Sequence, residues 1–184
     1  YQKRTPELAV PEAQKSVPKS TPWGDMTYLE YKYRVEFEKP EYDIIDAYCK
    51  DKGMTWSASP WDMPSLEFLL QYDVPYIKIA SASNGRDEMI AEAAKSGKPV
   101  ILSTGMTTMD EIDHAVEVLE KNGHGDYILM HTNSAYPAPV KDLNMRMIQT
   151  LKDRFDCLVG YSGHEENLEP TIAAVVLGAC CIER

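Results

Sequence analysis

YIKIASASNGRDEMIAEAAKSGKPVILSTGM, residues 76–106, is the stretch whose reading decides the fold. It opens on a short β-rich apolar run, YIKIAS (76–81), and closes on another, PVILST (99–104), each ending in small hydroxyl residues. Between them Asp87–Ser96 carries apolar residues at i, i+3 and i+4, the spacing of one helix face, and Gly97 follows as a stop. Strand, helix, strand at this length predicts a crossover between two parallel strands.

The alternation extends outward from this unit. Strand-like runs recur at MTWSAS (54–59), YILMHT (127–132), LVGYS (158–162) and CCIER (180–184), and helical period recurs over Pro64–Tyr72, Thr108–Asn122, Leu143–Phe155 and Leu168–Gly178. Thr108 with Glu111 three residues on is a capping-box pattern, and Gly123 and Gly178 are read as helix stops like Gly97. Residues 5–27, rich in Pro, Lys and Ser, read as a long loop, and 28–52 as one or two helices.

Repeated βα units need either an open doubly wound sheet or a closed barrel. Ser59, Ser81, Thr104, His131–Ser134, Ser162–His164 and Glu183 all stand at strand ends. An open sheet concentrates ligand-binding residues at one switch point, whereas a barrel draws them from nearly every strand. The expectation is an α/β, (β/α)8 TIM barrel. Six strands are visible where eight are needed. They are taken as strands 3–8, with two strands expected before Tyr1 and the end of the barrel after Arg184, so that 1–184 is a partial barrel domain.

A net charge of -10 opposes nucleic acid, whose binders cluster Lys and Arg against phosphate. No apolar run approaches membrane-spanning length and Tyr1–Glu12 lacks a signal-peptide core, so a soluble cytoplasmic protein is expected. Cys49, Cys157, Cys180 and Cys181 have no metal-ligand spacing and are read as reduced, buried thiols. Trp56, Trp61, Met106 and Met145 are read as packing residues, and His114 and His124 receive no role.

Lys78 is the anomaly. It interrupts an apolar strand on the side of Tyr76 and Ala80, and a lysine lining a barrel is either a Schiff-base nucleophile or an anion binder. His164, after Ser162 and Gly163 at a strand end, is read as a metal ligand, an acid–base group or a structural histidine. Glu183 is read as a carboxylate paired with Arg184, or as a reacting group.

The segments QKRTPE (2–7), TPWGDMTYLEYK (21–32), YIKIASAS (76–83), GKPVILSTGM (97–106), Tyr136-Pro137, LNMRMI (143–148), VGYSGHE (159–165) and AAVVLGACCIER (173–184) resemble the sialic acid synthases in order and spacing. GYSGHE followed by the LGA..IER ending is the most specific part. The resemblance implies a barrel that condenses phosphoenolpyruvate with N-acetylmannosamine, its 6-phosphate or a related acylated amino-sugar, giving a sialic or nonulosonic acid and phosphate. It implies that Lys78, Ser59, Ser81, Ser134 and Ser162 bind phosphoenolpyruvate and that Gln2 and Tyr136 contact the sugar. It implies that His164 holds Mn²⁺ or Mg²⁺ with a second His expected just beyond Arg184, and that Glu183 orients or deprotonates the attacking water.

Thr132 and Asn133 depart from the family's Cys-Thr, and Ser83 from an acidic residue, which points to a subgroup with altered sugar specificity. Family members usually carry a C-terminal antifreeze-like domain that reaches over the partner's barrel in a homodimer; none of it is in these residues. Two alternatives stand beside this reading: a Schiff-base pyruvate aldolase or lyase using Lys78, and a non-catalytic sugar-binding barrel.

Overall fold

The computed structural model describes all 184 residues, which form two compact units, Tyr1–Pro75 and Tyr76–Arg184. In the first unit, strands β1 (Gln2–Lys3) and β4 (Ser59–Pro60) pair in parallel, with Gln2 opposite Ser59. The segment starting at Tyr1 thus holds a strand where none was expected, and of MTWSAS (54–59) only Ser59 is strand. The ladder is limited by its partner: β1 offers two residues, flanked by Ser59 N–H on Tyr1 O and Trp61 N–H on Lys3 O, both at 3.0 Å.

Residues 5–27 are not a loop. They form two short helices, α1 (Pro6–Ala9) and α2 (Glu12–Lys15), and a hairpin of β2 (Pro18–Thr21) and β3 (Gly24–Thr27), whose tight turn uses Gly24 at φ 103°. Helices α3 (Tyr28–Val35) and α4 (Lys39–Asp51) follow, then α5 (Met63–Leu69). The core of this unit is aromatic: fully buried Tyr42 meets Phe68 at 5.2 Å and Trp56 at 5.6 Å between ring centroids, and Trp56 meets Tyr72 at 5.3 Å. Trp56 is therefore a packing residue, as read. Buried Asp62 caps α5 through Ser65 N–H and accepts two bonds from Thr5. Burial alone would raise its pKa, but the bonds from Ser65 and Thr5 outweigh that and hold the carboxyl below its ordinary value.

In the second unit, β5 (Ile77–Ile79), β6 (Val100–Ser103), β7 (Tyr127–Thr132), β8 (Leu158–Ser162) and β9 (Ile182–Glu183) form one parallel sheet in sequential order. The crossovers are α6 (Asp87–Lys95), α7 (Met109–Asn122), α8 (Met147–Phe155) and α9 (Glu169–Val176). Thr108 and Glu111 make the expected capping box. Gly97 and Gly178 take positive φ after their helices, whereas Gly123 ends α7 in extended backbone, with its N–H on Leu119.

Sequential order without a reversal is the rule of a barrel and not of a doubly wound sheet. The curvature supports the same conclusion. In a flat sheet with neighbours about 4.8 Å apart, β5 and β9 would stand roughly 19 Å from each other. Instead Lys78 of β5 and Glu183 of β9 are 3.2 Å apart. The five strands curl so far that the inward side chains of the two outer ones meet, which fits an incomplete (β/α) barrel. No helix is long and apolar enough to cross a membrane.

Candidate active site

Ile77 and Ile79 are fully buried on one face of β5, so Lys78 between them points to the other. Its ammonium donates to Ser103 Oγ at 3.1 Å and pairs with Glu183 Oε2 at 3.2 Å. Ser103 was not singled out from the sequence. The available signal was alternation on β6: buried Leu102 faces away, which turns Ser103 to the side of Lys78.

Register places Ser162 opposite Glu183, and the Ser162 hydroxyl donates to Glu183 Oε2 at 2.7 Å. The expected Glu183–Arg184 pair does not form. Adjacent strand residues point to opposite sides, so Glu183 turns to Lys78 while Arg184 pairs with Glu165 at 3.3 Å.

His164 Nδ1 lies 2.7 Å from the backbone oxygen of Asn133. A carbonyl can only accept, so Nδ1 carries a proton, which in the neutral ring leaves the lone pair on Nε2. The Tyr136 hydroxyl donates to Nε2 at 2.8 Å, with the phenol stacked on the imidazole at 3.9 Å, and Ser162 Oγ is 3.3 Å away.

A neutral imidazole oriented by a carbonyl is the form that ligates metal ions. The fit is to one nitrogen ligand of a hydrated divalent ion, since no group of three or more His, Cys, Asp or Glu side chains is placed to hold one.

Beside these groups lies a cradle of hydroxyls. Ser81 Oγ accepts from Gly105 N–H at 3.1 Å. A methyl group on Gly105 would stand 2.4 Å from Ser134 Oγ, 2.7 Å from Thr132 Cγ2 and 2.9 Å from Ser81 Oγ. Three strand ends approach this closely only because residue 105 has no side chain.

The structure therefore gathers Lys78, Ser162, His164, Tyr136 and Glu183 into one contact chain, with Ser81 and Ser134 together at Gly105. Gln2 and Ser59 belong to the first unit, where Ser59 is buried and the exposed Gln2 carboxamide is engaged by Arg4. Thr132 bonds the Ser162 carbonyl at 2.8 Å, a strand tie rather than a ligand contact. Ser83 is fully buried, so the departure there cannot face a sugar.

Other readings change as well. Met106 is 74% exposed at φ 63° and packs no core. Cys180 is exposed and the other three thiols are only partly covered; burial still pushes Cys157 to about 11 and Cys181 to about 12, so neither is a ready thiolate. His114 pairs with Asp87 at 2.7 Å on the surface.

The NeuB family model matches residues 1–184. N-acetylneuraminate-9-phosphate synthase of Drosophila melanogaster is 40% identical over 163 residues, 88% of this chain and 44% of that protein. N,N'-diacetyllegionaminic acid synthase of Campylobacter jejuni is 33% identical over 163 residues, 88% of this chain and 49% of that protein. The chain thus spans about half the length of the curated relatives it matches. The crystal structure of N-acetylneuraminic acid (sialic acid) synthetase from Leptospira borgpetersenii, in complex with citrate, superposes with a TM-score of 0.86 at 31% identity, covering 100% of this chain and 60% of that one. With a family match over its whole length and relatives above 30% identity, the chain belongs to the NeuB family.

Proposed function

We propose that this chain supplies the reacting centre of a synthase that joins phosphoenolpyruvate to the open-chain aldehyde of an N-acylmannosamine-type sugar. The observation that carries the reading is the contact chain Lys78–Glu183–Ser162–His164, which joins an ammonium, a carboxylate and an imidazole lone pair. Carbon 3 of phosphoenolpyruvate attacks the aldehyde carbon, and the aldehyde oxygen takes up a proton to become a hydroxyl. Water then adds at carbon 2 and gives its proton to Glu183. The bond from carbon 2 to the phosphate oxygen then breaks, inorganic phosphate leaves with that oxygen and the bonding electron pair, and the remaining proton of the added water passes to the phosphate as carbon 2 becomes a ketone.

Lys78 has two of its three N–H donors engaged by Ser103 and Glu183, which leaves one for the anionic substrate. Ser81 and Ser134 at the Gly105 cradle supply hydroxyl donors to the same anion, and Ser162 joins them by turning its one O–H from Glu183 to the ligand, so their contribution is positioning and charge neutralisation. Gln2 and Ser59 keep the sugar and phosphoenolpyruvate roles that the resemblance gives them. His164 Nε2 would hold a divalent ion, Mn²⁺ or Mg²⁺, which when bound would supply Lewis-acid polarisation of the aldehyde oxygen. The full-length protein is expected to act as a homodimer in the cytoplasm.

The Schiff-base alternative is disfavoured by the ion pair, because an ammonium held by Glu183 has no lone pair with which to attack a carbonyl. The test is phosphate release from phosphoenolpyruvate by the full-length protein with Mn²⁺. N-acetylmannosamine, its 6-phosphate and a diacetamido-trideoxyhexose are offered in turn. Release that needs both sugar and metal supports the synthase and names the sugar; no release with any of them refutes it.

A further inference from the structure

The Glu165 side chain is 1% exposed, yet it touches none of the groups assigned to the reaction. Its Oε2 accepts from the Tyr161 hydroxyl at 2.8 Å, and its Oε1 pairs with Arg184 at 3.3 Å. Arg184 goes further. Its Nη1 donates to Asn167 O at 2.8 Å and to Thr171 Oγ1 at 2.7 Å, and its Nη2 to the backbone oxygen of Glu165 at 2.6 Å. One guanidinium thus binds the turn after β8, the start of α9 and the end of β9.

Gly163 makes room for this. A methyl group there would lie 2.8 Å and 2.9 Å from the two Glu165 carboxylate oxygens, so the carboxylate folds beneath the backbone only where residue 163 is glycine. The neighbours are the point of interest: Glu165 follows His164 directly, and Arg184 follows Glu183 directly.

We infer that Glu165 and Arg184 are positioning residues, an ionic latch buried at its carboxylate end that fixes His164 and Glu183 relative to each other. The inference rests on the function proposed above. Apolar residues of similar size commonly replace a buried ion pair at no loss of stability, so a network with this many directed bonds is better explained by the geometry it imposes. Backbone pairing, Tyr161 N–H to Cys181 O and Gly163 N–H to Glu183 O, both at 3.0 Å, and the Ser162 hydroxyl on Glu183 already join the two strand ends; the latch adds side-chain bonds from the residue after Glu183 to the residue after His164, which hold the segments just beyond the ladder.

The experiment uses the full-length protein, with Glu165→Gln, Arg184→Lys and the double variant Glu165→Gln/Arg184→Met, which leaves no unpaired buried charge if a single variant fails to fold. Exposed Glu166→Gln is the control. Three readouts are taken on protein of confirmed fold: the His164 tautomer by ¹⁵N NMR of labelled histidine, Mn²⁺ affinity, and kcat against KM for phosphoenolpyruvate. Expected are a mixed tautomer at His164, Mn²⁺ affinity and kcat each lower by about 10- to 100-fold, and KM for phosphoenolpyruvate unchanged, since Lys78 and the serines are not in the latch. Added guanidinium should restore part of kcat in an Arg184→Ala variant. A lower melting temperature with the His164 tautomer and Mn²⁺ affinity as in wild type would overturn the latch as a positioning device. If wild type itself releases no phosphate with any sugar, the proposed reaction fails, while the tautomer still decides the latch.

Discussion

Lys78→Met is the most informative single perturbation, because it keeps the apolar stem and removes only the charge. The side chains of the Lys78–Glu183 pair are 17% and 41% exposed, and a pair so open to solvent gives the fold about 0–1 kcal/mol. The melting temperature should therefore hardly move. Binding is another matter: the hydrogen bond from a charged donor to an anionic ligand is worth about 1.5–3 kcal/mol, or roughly 10- to 150-fold in Kd. Titration calorimetry of the full-length variant with phosphoenolpyruvate alone, without sugar, measures this directly. Unchanged affinity would sink the assignment of Lys78 as the anion binder. Borohydride treatment with pyruvate completes the assay: wild type should remain unlabelled, and reductive trapping at Lys78 would show a nucleophile instead.

Gly105→Ala places a methyl group under 3.0 Å from Ser81, Ser134 and Thr132, an overpacking cost of about 1–3 kcal/mol concentrated in the cradle. KM for phosphoenolpyruvate should rise at least severalfold, and a wild-type KM would show that the cradle holds no ligand. Thr108→Ala removes one half of the α7 capping box and should cost about 1 kcal/mol of stability in denaturant titration, with the site unaffected. His131 is buried and donates to Leu143 O at 2.7 Å; burial lowers its pKa, although the bond to Leu143 opposes that. The unfolded chain then binds the proton more readily, so stability is full above the ordinary value of 6.5 and falls as pH drops below it. His114, raised by Asp87, has the opposite sign, so the measurement is made in a His114→Gln background, where His131→Gln should flatten the decline between neutral and acid pH. An unaltered decline would place the titrating group elsewhere.

The parts of the fold legible in the sequence are those governed by local rules. Helix period and capping chemistry located α6 and α7, and β-rich runs located the sheet of the second unit, because a parallel strand covered on both faces reads as a nearly continuous apolar run. Lys78 stood out as a charge inside such a run. The rest depends on partners distant in the chain. A two-residue strand at Gln2–Lys3 has no period to detect and exists only because Ser59 pairs with it. The β2–β3 hairpin lay hidden in a polar segment whose strands bury almost nothing. Which carboxylate each cation takes was the least legible: Glu183 next to Arg184 suggested a pair, but the pleat separated them, and the true partners are 105 and 19 residues away along the chain.

Sequential strand order also bears on how the second unit is made. Each strand from β6 to β9 pairs with the one completed just before it, so loop closure in this sheet is never asked to span more than one crossover. A nascent chain can add βα units as they emerge, and most of the sheet can form before synthesis is finished. The chemistry matures last. Lys78 is laid down with the first of these strands, and its counter-charge Glu183 arrives only with β9, so an unfinished sheet carries the lysine without the carboxylate that partners it.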